Sequence, residues 1–197
     1  MPSSLLKFVK QYSAMIGGRK YKAVQIGNQL WLAENLDYKF TASDPNSYYF
    51  YYDNNEATYG WNGRKCGLLY NWHAAKDLDN NKSTLLPDGW HVPSRNEWNT
   101  LITAVGGSST AGTKLKASNV SWAQSWGGTD DYGFEILPSG NGNGGIFYDI
   151  GTRASFHTLT TAGNSVYYEY FTTGASSNQD TNNKSWGESI RLVKTLT

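Results

Sequence analysis

The sequence predicts an α+β domain, with helices early in the chain and a small antiparallel sheet late. Three observations carry that prediction: a doubly signalled helix start at Ser94, a series of short apolar runs after Tyr132 separated by Gly, Asn and Ser, and a length that allows one substantial core. The helix start is the firmest of the three. Ser94 and Glu97 have capping-box spacing, Pro93 bars an earlier start, and Trp98, Leu101, Ile102 and Val105 recur at helical intervals before Gly106-Gly107. Trp98 and Leu101 are therefore expected in the core.

The remaining elements come in chain order. Leu5, Leu6, Val9, Tyr12 and Ile16 fall on one side of a helix over residues 4–16, ended by Gly17-Gly18. Such a short helix must dock, either on its own domain or on copies of itself. Residues 1–17 are thus read as an N-terminal helix for oligomerisation or attachment, and 18–197 as the main domain. Lys22 to Ile26, the Gly27-Asn28 pair and Gln29 to Leu32 predict a hairpin with a type I′ turn. Thr41 to Asn62 reads as loop, and Leu68 to Ala75 as an ordered element with Trp72 in the core. Asp77, Asp79 and Asn81 have the alternate spacing that opens a calcium loop, but Lys82 stands where the glycine belongs and Asp88 where the closing glutamate belongs. A solvated turn is expected there.

After the central helix a second short helix is predicted over Ser108 to Ala117, then a strand from Tyr132 to Pro138. Four further strands cover Gly145–Gly151, Ser155–Thr160, Ser165–Phe171 and Ser189–Lys194, the last pairing near the first. Along Ser165–Phe171, alternation puts Tyr167 and Glu169 on one face and Val166, Tyr168 and Tyr170 on the other. The first pair is expected to face a ligand, and Val166 to mark the inner face.

Composition excludes several function classes. The net charge of +1 with sparse charged residues leaves no nucleic-acid footprint, and no apolar run is long enough for a membrane helix. The single cysteine, Cys66, forms no intrachain disulfide and reads as an incidental thiol. His73, His91 and His157 lack zinc spacing, no phosphate loop or nucleophile elbow is present, and Asp130-Asp131 sits in a turn. No catalytic residue, metal or cofactor is assigned. Eight Trp and fourteen Tyr among abundant Gly, Asn and Ser favour a binding surface, because flat amphipathic rings lose little entropy on ordering.

Five blocks carry a family resemblance: Val24-Gln-Ile-Gly-Asn-Gln-Leu-Trp-Leu-Ala-Glu-Asn-Leu36, Gly67-Leu-Leu-Tyr-Asn-Trp72, Leu86-Pro-Asp-Gly-Trp-His-Val-Pro-Ser94 with Glu97-Trp98, Gly128-Thr-Asp-Asp-Tyr-Gly-Phe134 and Ser189-Ile-Arg-Leu-Val-Lys194. Together they resemble the Fibrobacter succinogenes major paralogous domain over roughly residues 18–194. The resemblance implies a C-type lectin-like fold of the formylglycine-generating-enzyme kind, with two short helices packed on a small antiparallel sheet and long Gly/Asn/Ser-rich loops. It also implies a scaffold for ligand display, as in the variable proteins of diversity-generating retroelements and the tips of phage tail fibres. The cysteines with which the formylglycine-generating relatives do chemistry have no counterpart in the C-terminal half.

Phe147, Ile150, Gly151 and Phe156 fit the family pattern. Tyr148, Asp149, Thr152, Arg153, Ser155 and His157 depart from it, several where the family often has Asn, as adenine-directed mutagenesis would leave them. With Tyr167, Glu169, Asn178 and Asp180 these form the expected ligand-binding set, and the loop from Tyr48 to Tyr59 is the second candidate. The expected partner is a bacterial surface receptor, protein or carbohydrate, with no nucleic acid, no membrane insertion and a homotrimer as the assembly fitting a fibre tip. The N-terminus shows no secretory signal, which favours a phage or prophage adhesin on the virion over a cell-surface lipoprotein. The alternative is a structural, self-assembling surface domain without a dedicated ligand.

Overall fold

A computed structural model describes residues 11–56, 60–61, 64–123 and 125–196. The chain begins with three strands, β1 (Gln11–Ile16), β2 (Arg19–Ile26) and β3 (Gln29–Leu32). Short pieces come next: β4 (Tyr49–Phe50), a 3-10 turn at Tyr52–Asn54, β5 (Gly60–Trp61), β6 (Arg64–Lys65) and β7 (Leu69–Tyr70). Helices α1 (Trp72–Asn80), α2 (Lys82–Leu85), α3 (Arg95–Ala104) and α4 (Ser108–Leu115) occupy the middle. The last third is sheet, with β8 (Ser139–Asn143), β9 (Ile146–Ile150), β10 (Arg153–Ala162), β11 (Ser165–Thr172), β12 (Ser177–Asn183) and β13 (Val193–Thr195).

Two curled half-barrel sheets dominate, and only 19% of the described residues are helical, so the predicted α+β class is corrected to mostly β. One sheet has the order β1-β2-β3-β13 and the other β12-β11-β10-β8-β9. Every pairing in them is antiparallel except β10 with β8, which meet in parallel at Ala154 and Gly140. The chain's end returns to its start, β13 pairing with β3 through Val193 and Trp31.

The predicted helix over residues 4–16 does not form in its described part. Gln11–Ile16 is strand β1, paired to β2, and Leu5, Leu6 and Val9 lie outside the described residues. The Gly17-Gly18 pair, expected as a helix stop, is a hairpin turn with both residues at positive φ, +55° and +78°. That is the type I′ requirement. The expected type I′ turn at Gly27-Asn28 is not one, because only Gly27 is left-handed. Ala14 and Ile16 turn into the domain's own core and Tyr12 packs against it, so this part of the stripe is not free for copies of the chain.

Between the sheets, Trp98 of α3 is the centre of an aromatic core. Its ring lies 4.7 Å from Trp31, 5.2 Å from Phe156 and 6.3 Å from Phe171, which brings the first sheet, β10 and β11 onto one side chain. The capping box holds that helix as its sequence predicts: Ser94 Oγ accepts from the Glu97 amide, and Glu97 accepts from the Ser94 amide. Trp98 and Leu101 are fully buried.

Other expectations shift. Residues 132–138 form no strand, since Glu135 is left-handed and only a bridge from Ile136 to Lys116 is made. The supposed solvated turn at Asp77 is the body of α1, where the Asp77 carboxylate is buried and accepts from the Ser43 hydroxyl and the Ser43 and Asp44 amides. Those bonds hold its carboxyl below the usual range although burial works the other way. Strands β8 and β12 have no signal in the sequence, because SGNGN and SNQDTNN contain no apolar residue to alternate.

Trp98→Ala is expected to cost about 3 to 5 kcal/mol, since Trp31, Phe134, Phe156 and Phe171 lose their aromatic partner. Tyr148→Ala, half out in solvent, should stay within about 1 kcal/mol of the parent. Thermal melts of both variants check this, and equal losses would mean that Tyr148 carries core packing.

Candidate functional site

The second sheet places the ten predicted ligand-binding residues in three different environments. Arg153, Asn178 and Asp180 come together. On β11, Tyr168 and Tyr170 stand opposite Asp180 and Asn178 of β12, so these side chains share a face. Arg153 stacks over Tyr170 at 4.0 Å and donates through Nη2 to the Tyr168 hydroxyl at 2.9 Å. Tyr148, 39% exposed, lies against Trp186 with ring centroids 5.5 Å apart. Asp149 and Thr152 are exposed in the β9–β10 turn, where Asp149 is left-handed and its carbonyl accepts from the Thr152 amide and hydroxyl.

Ser155, His157 and Glu169 are interior, not displayed. Ser155 Oγ accepts from Arg153 Nε, which fixes the guanidinium from below. His157 Nε2 lies 2.6 Å from the Tyr70 carbonyl and so carries the proton there, leaving Nδ1 3.5 Å from Glu188 Oε2. With no exposed surface on either, burial disfavours both charges. It pushes His157 down to about 4, against the Tyr70 and Trp186 carbonyls, and Glu188 up to about 8, against Asn182 and Arg153. Burial thus favours the neutral form of each, an imidazole facing a carboxylic acid.

Alternation along β11 holds, but the facing is the reverse of that expected. Tyr167, Glu169 and Phe171 turn toward α3, where Arg95 covers the Tyr167 ring at 4.1 Å and Phe171 joins the Trp98 core. Burial raises Glu169 to about 7, opposed by Gln179, Ser177 and Arg95. Val166 is buried although it lies on the face opposite α3.

The feature that the ten residues missed lies beside Tyr148. A groove of about 510 Å³ opens between the Tyr48 loop and the β8–β9 hairpin, lined by Tyr48, Phe50, Asn54, Phe147, Ser185 and the 143–145 turn. Among the described residues four large hydrophobic side chains are exposed, and three of them, Tyr48, Ile146 and Tyr148, belong to these two segments. Phe50 sits in a slot made by glycine: a Cβ at Gly187 would overlap its ring, and one at Gly142 would come within 3.0 Å. The Tyr48 hydroxyl donates to the Ser185 carbonyl. The second sequence candidate, the loop from Tyr48 to Tyr59, thus supplies Tyr48, Phe50 and Asn54 to the lining of this groove, within and just after the aromatic run Tyr48-Tyr-Phe-Tyr-Tyr52.

The model of the Fibrobacter succinogenes major domain matches residues 24–194. The chain belongs to that family. Comparison with curated proteins and with solved structures gives no match. The matched stretch runs from within β2 to the second residue of β13, so the family unit takes in strands of both sheets and the groove.

The one cysteine of this Fibrobacter succinogenes major domain is a buried thiol. Burial pushes the Cys66 thiol up to about 12, well away from thiolate chemistry at neutral pH. Among the described residues no group of three or more His, Cys, Asp or Glu could hold a metal ion, and no helix is long and apolar enough to cross a membrane.

The buried pair makes a pH prediction. Glu188 is raised in the folded state, so its contribution is full below its unfolded value and is lost as pH rises toward about 8. Glu169 acts in the same sense up to about 7, whereas depressed His157 adds stability as pH rises from about 4 to its ordinary 6.5. From pH 6.5 to 8 the carboxyl groups decide, and stability should fall by on the order of 2 kcal/mol. Urea titrations across that window should show the fall in the parent and a flatter profile in Glu188→Gln. A parent whose stability rises there would mean that the pair is ionised.

Proposed function

We propose that this domain is a recognition module that binds a receptor on a bacterial surface through the groove and the β8–β9 hairpin, with Arg153, Asn178 and Asp180 on the neighbouring strands as the polar part of the surface. The observation that carries the reading is a concave groove lined by the rings of Tyr48, Phe50 and Phe147, with three of the four exposed large hydrophobic side chains among the described residues, Tyr48, Ile146 and Tyr148, on the two segments that border it. Exposed apolar groups clustered at a concavity mark an interaction site, whereas scattered ones do not. The site of the reading differs from the sequence expectation: Ser155, His157 and Glu169 lie beneath the surface, Tyr167 turns toward α3, and the groove is added. A place on a phage tail-fibre tip, or diversification by a retroelement, belongs to the same proposal. Neighbouring tail genes, or a reverse transcriptase with a near-copy of the C-terminal coding segment, would support it.

Self-association is the second reading, and Met15 favours it. That residue is 57% exposed on β1, which is the edge of its sheet among the described residues. Unpaired strand edges are templates for pairing with another chain.

Immobilised protein should capture cells from a panel of bacteria, and the double substitution Ile146→Ser with Tyr148→Ala should reduce capture at least about tenfold while the melting temperature holds. Tyr167→Ala, on the opposite face, should leave capture unchanged. Equal capture by the parent and the hairpin variant would move the receptor surface elsewhere.

A further inference from the structure

The groove's chemistry goes beyond the fact of binding and narrows the class of ligand, an assignment that rests on the recognition role proposed for this groove. Its lining residues are Tyr, Phe, Asn, Gly and Ser, without a formal charge among them. Two rings form its platform: Tyr48 and Phe50 lie nearly parallel, at 18°, with centroids 6.0 Å apart. Both are held away from their faces, Phe50 by the glycine slot and Tyr48 through its hydroxyl, so a ligand meets an aromatic surface that is already ordered.

Above this platform stand uncommitted polar groups. The Asn54 and Asn143 amides and the Ser185 hydroxyl make no hydrogen bond to the described protein, and Asn54 is exposed at the end of the 3-10 turn. Each amide presents two donors and one acceptor oxygen. At the turn of the hairpin, a Cβ on Gly144 or Gly145 would touch nothing within 4 Å, so the chain itself leaves this space open.

An aromatic platform with a rim of free amides and no charge matches one ligand class. A pyranose ring has a face of C–H groups, electropositive toward the negative face of an aromatic ring, and an edge of hydroxyls that donate and accept at once. An anionic sugar, a nucleotide or an acidic peptide would bring charge into a site that has nothing to pair with it. A volume of about 510 Å³ is that of a small-ligand pocket, whereas a protein partner would need a broad buried patch around it. We infer that the Tyr48–Phe50 groove binds a neutral saccharide unit, stacked on the two rings and hydrogen-bonded by Asn54, Asn143 and Ser185.

The test is an array of neutral and charged oligosaccharides probed with the full chain, followed by calorimetric titration of the best neutral binder. Tyr48→Ala removes half the platform, and Asn54→Gly removes an amide at a left-handed position that glycine adopts without strain. Each should weaken the neutral glycan at least about tenfold with an unchanged melt, and raising sodium chloride from about 50 to about 500 mM should leave affinity within about twofold. Binding only to sialylated or sulfated glycans, no binding to any neutral glycan, or binding that survives both substitutions would overturn the assignment. So would cell capture that protease treatment of the cells abolishes and periodate oxidation of their sugars leaves intact. A chain that holds a neutral glycan yet captures no bacterium would sink the receptor reading alone and support this one.

Discussion

The structure depends on how Arg191 is satisfied. Its guanidinium is buried and donates to the Asn35 side chain, the Leu32 carbonyl and the carbonyls of Phe134 and Glu135, while its face lies over Phe134 at 4.8 Å. Those acceptors come from the end of the first sheet and from the loop ahead of β8. Asn35 extends the network to the Cys66 carbonyl and to Ser189, whose hydroxyl meets Ser139 at the start of β8. A buried charge is costly unless its donors are used, so the two half-barrels can close on each other only in the arrangement that supplies these oxygens. The irregular backbone at 134–135, which defeated the strand expectation, is the part of the chain that turns carbonyls toward Arg191.

The same stretch of chain sets the groove. Gly187 to Ser189 runs just ahead of Arg191, bonding to Gly142 on one side and to Ser155 and His157 on the other. It thereby acts as a wedge between β8 and β10, which themselves pair at a single position. Glycine at 187 leaves the hollow for Phe50, and Glu188 puts its carboxyl beside His157. A residue whose side chain fills neither role would spread the hairpin from β10 or push the Phe50 ring out of its seat. The groove's shape is therefore fixed by core contacts, with the Tyr48 hydroxyl tied to the Ser185 carbonyl across it.

Much of this was legible in the sequence, and the misses have physical causes. The capping box, Pro93 and the Trp98 stripe all point to one helix, and agreement among independent local signals is what makes a segment readable. Gly17-Gly18 was ambiguous because two left-handed glycines serve a helix stop and a hairpin turn equally well. Strands β8 and β12 are held by their neighbours' backbones and carry almost no apolar pattern. Alternation on β11 was readable, but its facing was not: Tyr167 beside Arg95 and Tyr168 beside Arg153 look the same in sequence, and only the position of α3 distinguishes them.

That distinction also separates positions free to change from those that are not. Tyr148, Asp149, Thr152, Asn178 and Asp180 border solvent, and their neighbours hold the backbone without them. Ser155, His157 and Glu169 alternate with the same exposed positions, yet each occupies a closed space in which a new side chain must match volume and polarity. Departure from the family pattern in the 148–157 segment therefore has two physical meanings. At the exposed positions it alters what the surface presents to solvent; at 155 and 157 it alters the support under Arg153 and Tyr168, and reaches the surface only through the posture of those two side chains.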